Sequence, residues 1–279
     1  MNNIKLGVIV NLTEDIEESF REVHELGFMT CQLACTAEFM IGKKLDPTKI
    51  RVMAEKHNIE VSSFFLLFEG QIFDRHQGPS TVGFIPRRYR ARRLQLAKEF
   101  SNIVSRAGVK SITAHVGFIP NDPKEPLYKS FLPVMREFVK HCKKNGQIFC
   151  FETGQELPST LKRAILDLGM DNVGINLDPA NLILYGMAHP LDAVEIFGEY
   201  VKGVHAKDAL WPNRNEPLGI EVPLGEGEVN FPLLIERLRE KGFAGPIIIE
   251  REIPDGMQRK IDILKAKAFL ENIERRRGK

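Results

Sequence analysis

The sequence predicts an α/β chain folded as a single (β/α)₈ TIM barrel, with residues 1–279 forming one domain. Three observations lead there. Short β-branched runs are followed by amphipathic helical stretches eight times, the pattern of a parallel sheet with right-handed helical crossovers. The rival, an open doubly wound sheet, usually carries a Gly-rich turn after its first strand. Here that turn reads Asn11-Leu12-Thr13-Glu14-Asp15 instead. Finally, no composition break marks a second domain, and a barrel of this length is ordinary for one unit.

The strands are expected at about 4–10 (IKLGVIV), 30–35 (TCQLAC), 60–68 (EVSSFFLLF), 111–116 (SITAHV), 148–153 (IFCFET), 173–178 (VGINLD), 201–208 (VKGVHAKD) and 246–252 (PIIIERE). The first helix puts Ile16, Phe20 and Val23 on one face and stops at Gly27. The second opens at Asp46-Pro47, a cap followed by proline at the first helical position. The fourth aligns Phe131, Met135, Phe138, Val139 and Cys142. The seventh opens after Asn230 with Pro232 and closes at Gly242, and the last runs from about 259 to 275 before the tail ERRRGK. Two connections, about 69–88 and 209–230, are long enough to be read as active-site loops. The dense basic run Arg87–Arg93 is read as a solvated helix start whose inner face begins at Leu94 and Leu96, the rival being an anion-binding edge of the mouth.

Composition narrows the function. A net charge of +2 gives no general attraction to nucleic acid or anionic lipid, and no apolar run reaches the ~18 residues a bilayer requires. The opening MNNIKLGVIVNL enters a strand pattern without a basic segment or cleavage site, so no signal peptide is expected. Cys31, Cys35, Cys142 and Cys150 form no CxxC pair and read as reduced, mostly buried thiols of a cytoplasmic protein.

The chemistry stands at the strand ends, the catalytic face of such a barrel. The fifth strand ends at Glu152, the sixth at Asp178, the seventh carries His205 and the eighth ends at Glu250. Singly, each acid has a plain role as a helix cap or ion-pair partner. Three acids and a histidine at matched positions on consecutive strands fit one divalent cation better, and oxygen plus imidazole donors suit Mn²⁺, Zn²⁺, Co²⁺ or Mg²⁺. His115 also ends a strand and is expected to contact substrate. His24, His57 and His141 fall in helical stretches, and His76 and His189 in loops. Lys207 alternates with His205 and shares its inward face, placed to hold a substrate oxygen or a ligand carboxylate. Glu226, between two glycines, is expected to orient His205 or a neighbouring ligand.

The motifs FETGQE (151–156), INLDPANL (175–182), VKGVHAKDA (201–209), PLGEGEVNF (223–231) and IIIERE (247–252) occur in that order. With them the chain resembles the xylose-isomerase-like barrels, which include sugar and sugar-phosphate isomerases and epimerases. The resemblance implies that Glu152, Asp178, His205 and Glu250 hold the metal, and that Glu152 and Glu250 are the acid/base pair. It implies proton transfer next to a metal-polarised carbonyl through a cis-enediolate, which yields an isomer or an epimer. It also makes Asn181 a substrate-contact position, where several similar epimerases carry histidine. Their substrate-binding arginine has no counterpart: Trp211 follows His205 by six, and the next arginine is Arg214.

A sugar, sugar phosphate or sugar derivative is therefore the expected small-molecule partner, with neither nucleic acid nor membrane, and a homo-oligomer is compatible with the chain. The competing readings are a lyase or dehydratase on a keto-sugar or glycoside, an abasic-site endonuclease of the same fold, and a non-catalytic sugar-binding barrel. The endonuclease needs several metal ions and more strand-end histidines than His115 and His205. The sugar-binding barrel is disfavoured by the complete ligand set.

Overall fold

Eight parallel strands close into a barrel because their two faces have different partners. The structure, a computed structural model, describes residues 5–213 and 216–277. In chain order the strands are β1 (Leu6–Asn11), β2 (Thr30–Thr36), β3 (Glu60–Leu67), β4 (Ser111–Ala114), β5 (Ile148–Glu152), β6 (Val173–Leu177), β7 (Val201–Ala206), a two-stranded hairpin of β8 (Asp208–Leu210) and β9 (Ile220–Val222), and β10 (Ile247–Ile249). The barrel order is β1-β10-β7-β6-β5-β4-β3-β2, closed by parallel pairing of Leu6–Val8 with Ile247–Ile249. Outward residues such as Val8, Leu33, Phe64, Ile112, Phe149, Val204 and Ile247 pack under the helices in one core. Of the inward-facing apolar residues, Ile9, Ala34, Phe65 and Ile248 form a separate inner cluster.

The helices are α1 (Ile16–Glu25), α2 (Ala37–Gly42), α3 (Pro47–His57), α4 (Gly78–Thr81), α5 (Arg87–Arg106), α6 (Pro126–Lys144), α7 (Pro158–Leu168), α8 (Pro179–Leu184), α9 (Pro190–Phe197), α10 (Phe231–Glu240) and α11 (Met257–Arg277). Their boundaries follow the expected signals. Asp15, Asp46 and Asn230 accept from the backbone of the first turns of α1, α3 and α10, and Gly27 and Gly242 take left-handed conformations just past the ends of α1 and α10. The short helices α2 and α8 sit directly after β2 and β6. The expected first strand began at Ile4, and the expected tail ended at Gly278 and Lys279, all outside the described residues.

The ladders shift register at two places: β3 carries the extra residue Ser62 opposite Cys31/Gln32 of β2, and β7 carries Lys202 opposite Ile175/Asn176 of β6. Bulges of this kind re-aim side chains near functional sites. Gln32 and Asn176 are both later found gripping site residues.

The basic run differs from expectation. Arg87, Arg88 and Arg92 are exposed, but Arg90 and Arg93 are buried, and the inner face of α5 runs through Arg90, Arg93, Ala97 and Phe100 rather than starting at Leu94 and Leu96. Arg90 donates to the carbonyls of Phe84 and Ile85 at 2.7 and 2.6 Å, and Arg93 to those of Thr81 and Gly83, both at 2.7 Å. At a helix N-terminus a guanidinium is poorly placed for the dipole. These two instead satisfy carbonyls of the β3–α5 connection and fix it beside the mouth.

The second long connection is organised by Asp208. The expected seventh strand ends at Ala206, and Asp208 opens the hairpin instead. Its carboxylate accepts from the backbone N–H groups of Ala209 and Val229 at 3.0 Å, Gly225 at 2.9 Å and Gly227 at 3.1 Å. A Cβ at Gly227 would overlap that carboxylate, and Gly225 has φ +91°. The glycines flanking Glu226 therefore serve an anion nest. Asp208→Asn is expected to destabilise the fold by about 2–4 kcal/mol in denaturant unfolding, and Gly227→Ala to do the same, because several charge-assisted bonds are lost at once.

Candidate metal centre

The four strand-end residues meet at the mouth. Glu152, Asp178, His205 and Glu250 each offer a ligand atom, and these atoms lie within 4.8 Å of one another. His205 Nδ1 is 2.9 Å from Glu152 Oε1, 3.2 Å from Glu250 Oε2 and 3.8 Å from Asp178 Oδ2. Glu152, Asp178 and His205 are almost fully buried, while Glu250 is partly open toward the cavity.

Three of these groups are held by a supporting hydrogen bond at one atom and turn the other toward the centre. Glu152 Oε2 accepts from Asn176 Nδ2 at 2.7 Å, and Gly203 leaves the room that the Asn176 amide occupies. Asp178 Oδ1 caps α8 by accepting from Asn181 N at 2.9 Å. His205 Nε2 is 2.7 Å from Gln32 Oε1, whose amide donates in turn to Ser63 Oγ at 2.6 Å. The remaining atoms, Glu152 Oε1, Asp178 Oδ2 and His205 Nδ1, are buried without a hydrogen bond. Buried polar atoms are rarely left so. These three atoms and Glu250 could hold a divalent cation, and the Gln32 bond leaves Nδ1 as the ring nitrogen free to serve it. The turns are pinned as well: Thr153 Oγ1 donates to Asp178 O and accepts from Asp178 N, both at 2.8 Å, locking the ends of β5 and β6 together.

Charge in this dry site is strongly redistributed. Burial pushes the Glu152 carboxyl up to about 7 against the pull of His205. For His205 burial favours the neutral ring, yet Glu152 and Glu250 outweigh it and raise the imidazole well above its ordinary value. Burial likewise opposes ionising Glu250, but Lys207 and His205 hold it well below the carboxylate range. Lys207, buried on the same inward face, lies 2.6 Å from Glu252, 3.2 Å from Asn181 Oδ1, 3.5 Å from Glu250 and 3.6 Å from Asp178. His115, just past β4, is driven down to about 3 by burial and by Lys207. It is a neutral ring in contact with Gln155.

Above these groups lies a cavity of about 600 Å³, lined among others by His115, Glu152, Gln155, Asn181, Tyr185 and Glu250. Leu218, Gly219 and Glu221 of the hairpin connection line it too, and Glu221 accepts from Arg251 at 2.8 Å and from Glu252 N at 3.0 Å. The hairpin is thus tied to the segment that carries Glu250. Arg214 lies outside the described residues.

The expectation for Glu226 is corrected. It is exposed on the turn, and the group behind His205 is Gln32. Sequence reading also missed Asn176, Gln155 and Glu156. A glutamine inside the otherwise apolar TCQLAC run was the available signal for Gln32. Glu156 is 3% exposed, and burial pushes its carboxyl up to about 8.

Two outcomes follow. Gln32→Leu, which keeps volume but not the acceptor, is expected to weaken Mn²⁺ binding about 10–100-fold by calorimetry. Glu156 keeps its proton in the folded state up to about pH 8, whereas the unfolded chain releases it near 4.5. The raised value makes wild-type stability fall as pH rises between these limits. Glu156→Gln should therefore match wild type near pH 5 and exceed it increasingly toward pH 8, by on the order of a few kcal/mol in denaturant midpoints.

Comparisons with known proteins agree with this architecture. The family model described as xylose isomerase-like TIM barrel matches residues 20–272. A xylose isomerase domain protein from Planctomyces limnophilus is 32% identical, with a TM-score of 0.92 over 99% of both chains. At the level of fold alone, a D-psicose 3-epimerase with D-tagatose from Clostridium cellulolyticum H10 aligns at 14% identity and TM-score 0.72, over 97% of this chain and 99% of that one. A xylose isomerase-like TIM barrel protein from Mycobacterium smegmatis in complex with magnesium aligns at 17% identity and TM-score 0.69 over 96% of both. No curated protein matches in sequence. Among the described residues no helix is long and apolar enough to cross a membrane. The chain belongs to the xylose isomerase-like TIM barrel family.

Proposed function

We propose that the protein is a divalent-metal-dependent isomerase or epimerase of a sugar or sugar derivative. The observation that carries this reading is the set of half-held ligands, Glu152, Asp178 and His205, whose free atoms converge beside Glu250 under an open cavity. Solved structures of similar fold include a 3-keto-D-glucoside 4-epimerase, an L-ribulose 3-epimerase and D-psicose 3-epimerases, which supports the reaction class.

Bound Mn²⁺, Zn²⁺, Co²⁺ or Mg²⁺ would supply Lewis acidity, polarising a sugar carbonyl and acidifying the neighbouring C–H. The chain's own groups do the rest. Glu152 and Glu250 project from β5 and from the end of β10, which are separated in the wall by β6 and β7. Two carboxylates so placed can remove a proton at one carbon and return one at another carbon or on another face. Lys207 keeps Glu250 and Glu252 in place. His115 and Asn181 are positioned to contact substrate hydroxyls, His115 from beside the cavity's aromatic wall and Asn181 from the first turn of α8. Phe73 of the β3–α5 connection and Leu218, Gly219 and Glu221 of the hairpin line the opening.

The test is deuterium exchange followed by proton NMR. Protein loaded with Mn²⁺ is incubated in D₂O with ketoses and keto-glycosides. Label should enter carbon adjacent to the carbonyl as the isomer or epimer appears. An elimination product would instead establish the lyase reading. Chelation should abolish exchange and added metal restore it. Glu152→Gln and Glu250→Gln should each lower turnover by about 10²–10⁴. Unchanged turnover in both variants would overturn the acid/base assignment.

A further inference from the structure

Gln155, in the turn between β5 and α7, is a buried polar side chain in the cavity wall. It follows Glu152 by three residues, is 4% exposed and lines the cavity. Its Oε1 lies 3.2 Å from His115 Nδ1, so the amide is oriented with its NH₂ turned the other way. That Nε2 is buried and meets no partner in regular hydrogen-bond geometry, with the Tyr185 hydroxyl beside it. Buried amide donors are nearly always satisfied, and an exception in the wall of a cavity marks where a ligand acceptor sits. His115 packs against Phe65 and Phe73, with ring centroids at 5.7 and 5.1 Å, which restrains the pair.

The charges around the cavity narrow the kind of ligand. Arg251 is engaged by Glu221 at 2.8 Å and Asp262 at 2.9 Å, and Arg259 by Glu22 at 3.0 Å and Asp255 at 3.4 Å. Lys207 is engaged by Glu252 at 2.6 Å. Each of these cations is thus already engaged by a carboxylate, and the cavity lining carries Glu221, Glu250, Glu252 and Asp255 against Arg251 and Arg259. A phosphate entering there would meet like charge. Ile9, Leu67, Phe65 and Phe73 form an apolar stretch of the same lining, suited to the C–H face of a sugar ring. A volume of about 600 Å³ also leaves room for a substituent beyond one monosaccharide.

We propose that Gln155 is a specificity residue that donates to an oxygen of an uncharged sugar or glycoside, and that the site discriminates against the phosphorylated form of the same sugar. The inference rests on the metal-dependent sugar reading above. It goes beyond that reading by naming the residue and the charge class.

Mn²⁺-loaded wild type, Gln155→Ala and the isosteric Gln155→Glu are compared, with Mn²⁺ affinity and melting as controls. The probes are D-fructose, D-fructose 6-phosphate, methyl 3-keto-D-glucoside and its 6-phosphate, read by binding and by deuterium exchange. Wild type should favour each free sugar over its phosphate by at least about tenfold. Both variants should raise KM for the better free sugar about tenfold, with kcat changed far less. Gln155→Glu keeps the test valid if the alanine variant fails to fold. Preference for a phosphate, or KM within about twofold in the variants, overturns this inference and leaves the functional reading standing. If wild type neither binds nor exchanges any of the four probes, the functional reading falls and takes this inference with it.

Discussion

Like charges crowded in a dry place are the constraint on which this molecule turns. Glu152, Asp178 and Glu250 would repel one another and resist burial if left to themselves. The barrel answers by gripping one atom of a group and leaving the other free. Asn176 holds Glu152, the first turn of α8 holds Asp178, and Gln32 holds His205. Lys207 supplies a permanent positive charge beside the same Glu250 oxygen that faces His205. What remains is a set of donor atoms that a cation would complete, already oriented before it arrives.

The rest of the architecture keeps that set in register. The two ladder irregularities lie opposite Gln32 and Asn176, where β3 and β7 each carry one extra residue and bring Ser63 and Gly203 alongside the supporting amides. Buried Arg90 and Arg93 and the carboxylate of Asp208 do the same for the two long connections, by collecting backbone groups that no strand or helix satisfies. The polar groups inside this fold thus act mostly on loops around the mouth, while the apolar core lies between strands and helices.

Much of this was legible in the sequence, and the reasons for success and failure are physical. The eight strands and the four convergent residues stood out because period and spacing are local signals, with one ligand per strand–helix unit. Short helices such as α8 were not seen, since six residues carry little periodicity; yet Asp178 both caps α8 and offers a free oxygen, so its two roles coexist. Gln32 was missed because its partner is 173 positions away in sequence. Glu226 was overread because the glycines beside it carry the function, one for its backbone conformation and both for their N–H groups. The Arg87–Arg93 run misled because charge density on a helix says nothing about which members turn inward to carbonyls.

The hydrogen bond between His205 and Gln32 has a bearing on the barrel's ancestry and modularity. All four convergent residues lie between positions 152 and 250, as though the later strands alone were a self-sufficient module. The imidazole, however, takes its tautomer and ring angle from the second strand, near the opposite end of the chain. A half-barrel cut out, duplicated or recombined with another scaffold would bring every ligand and leave one of them untethered. The earlier strands are thus inherited together with the site, although they contribute no donor atom to it.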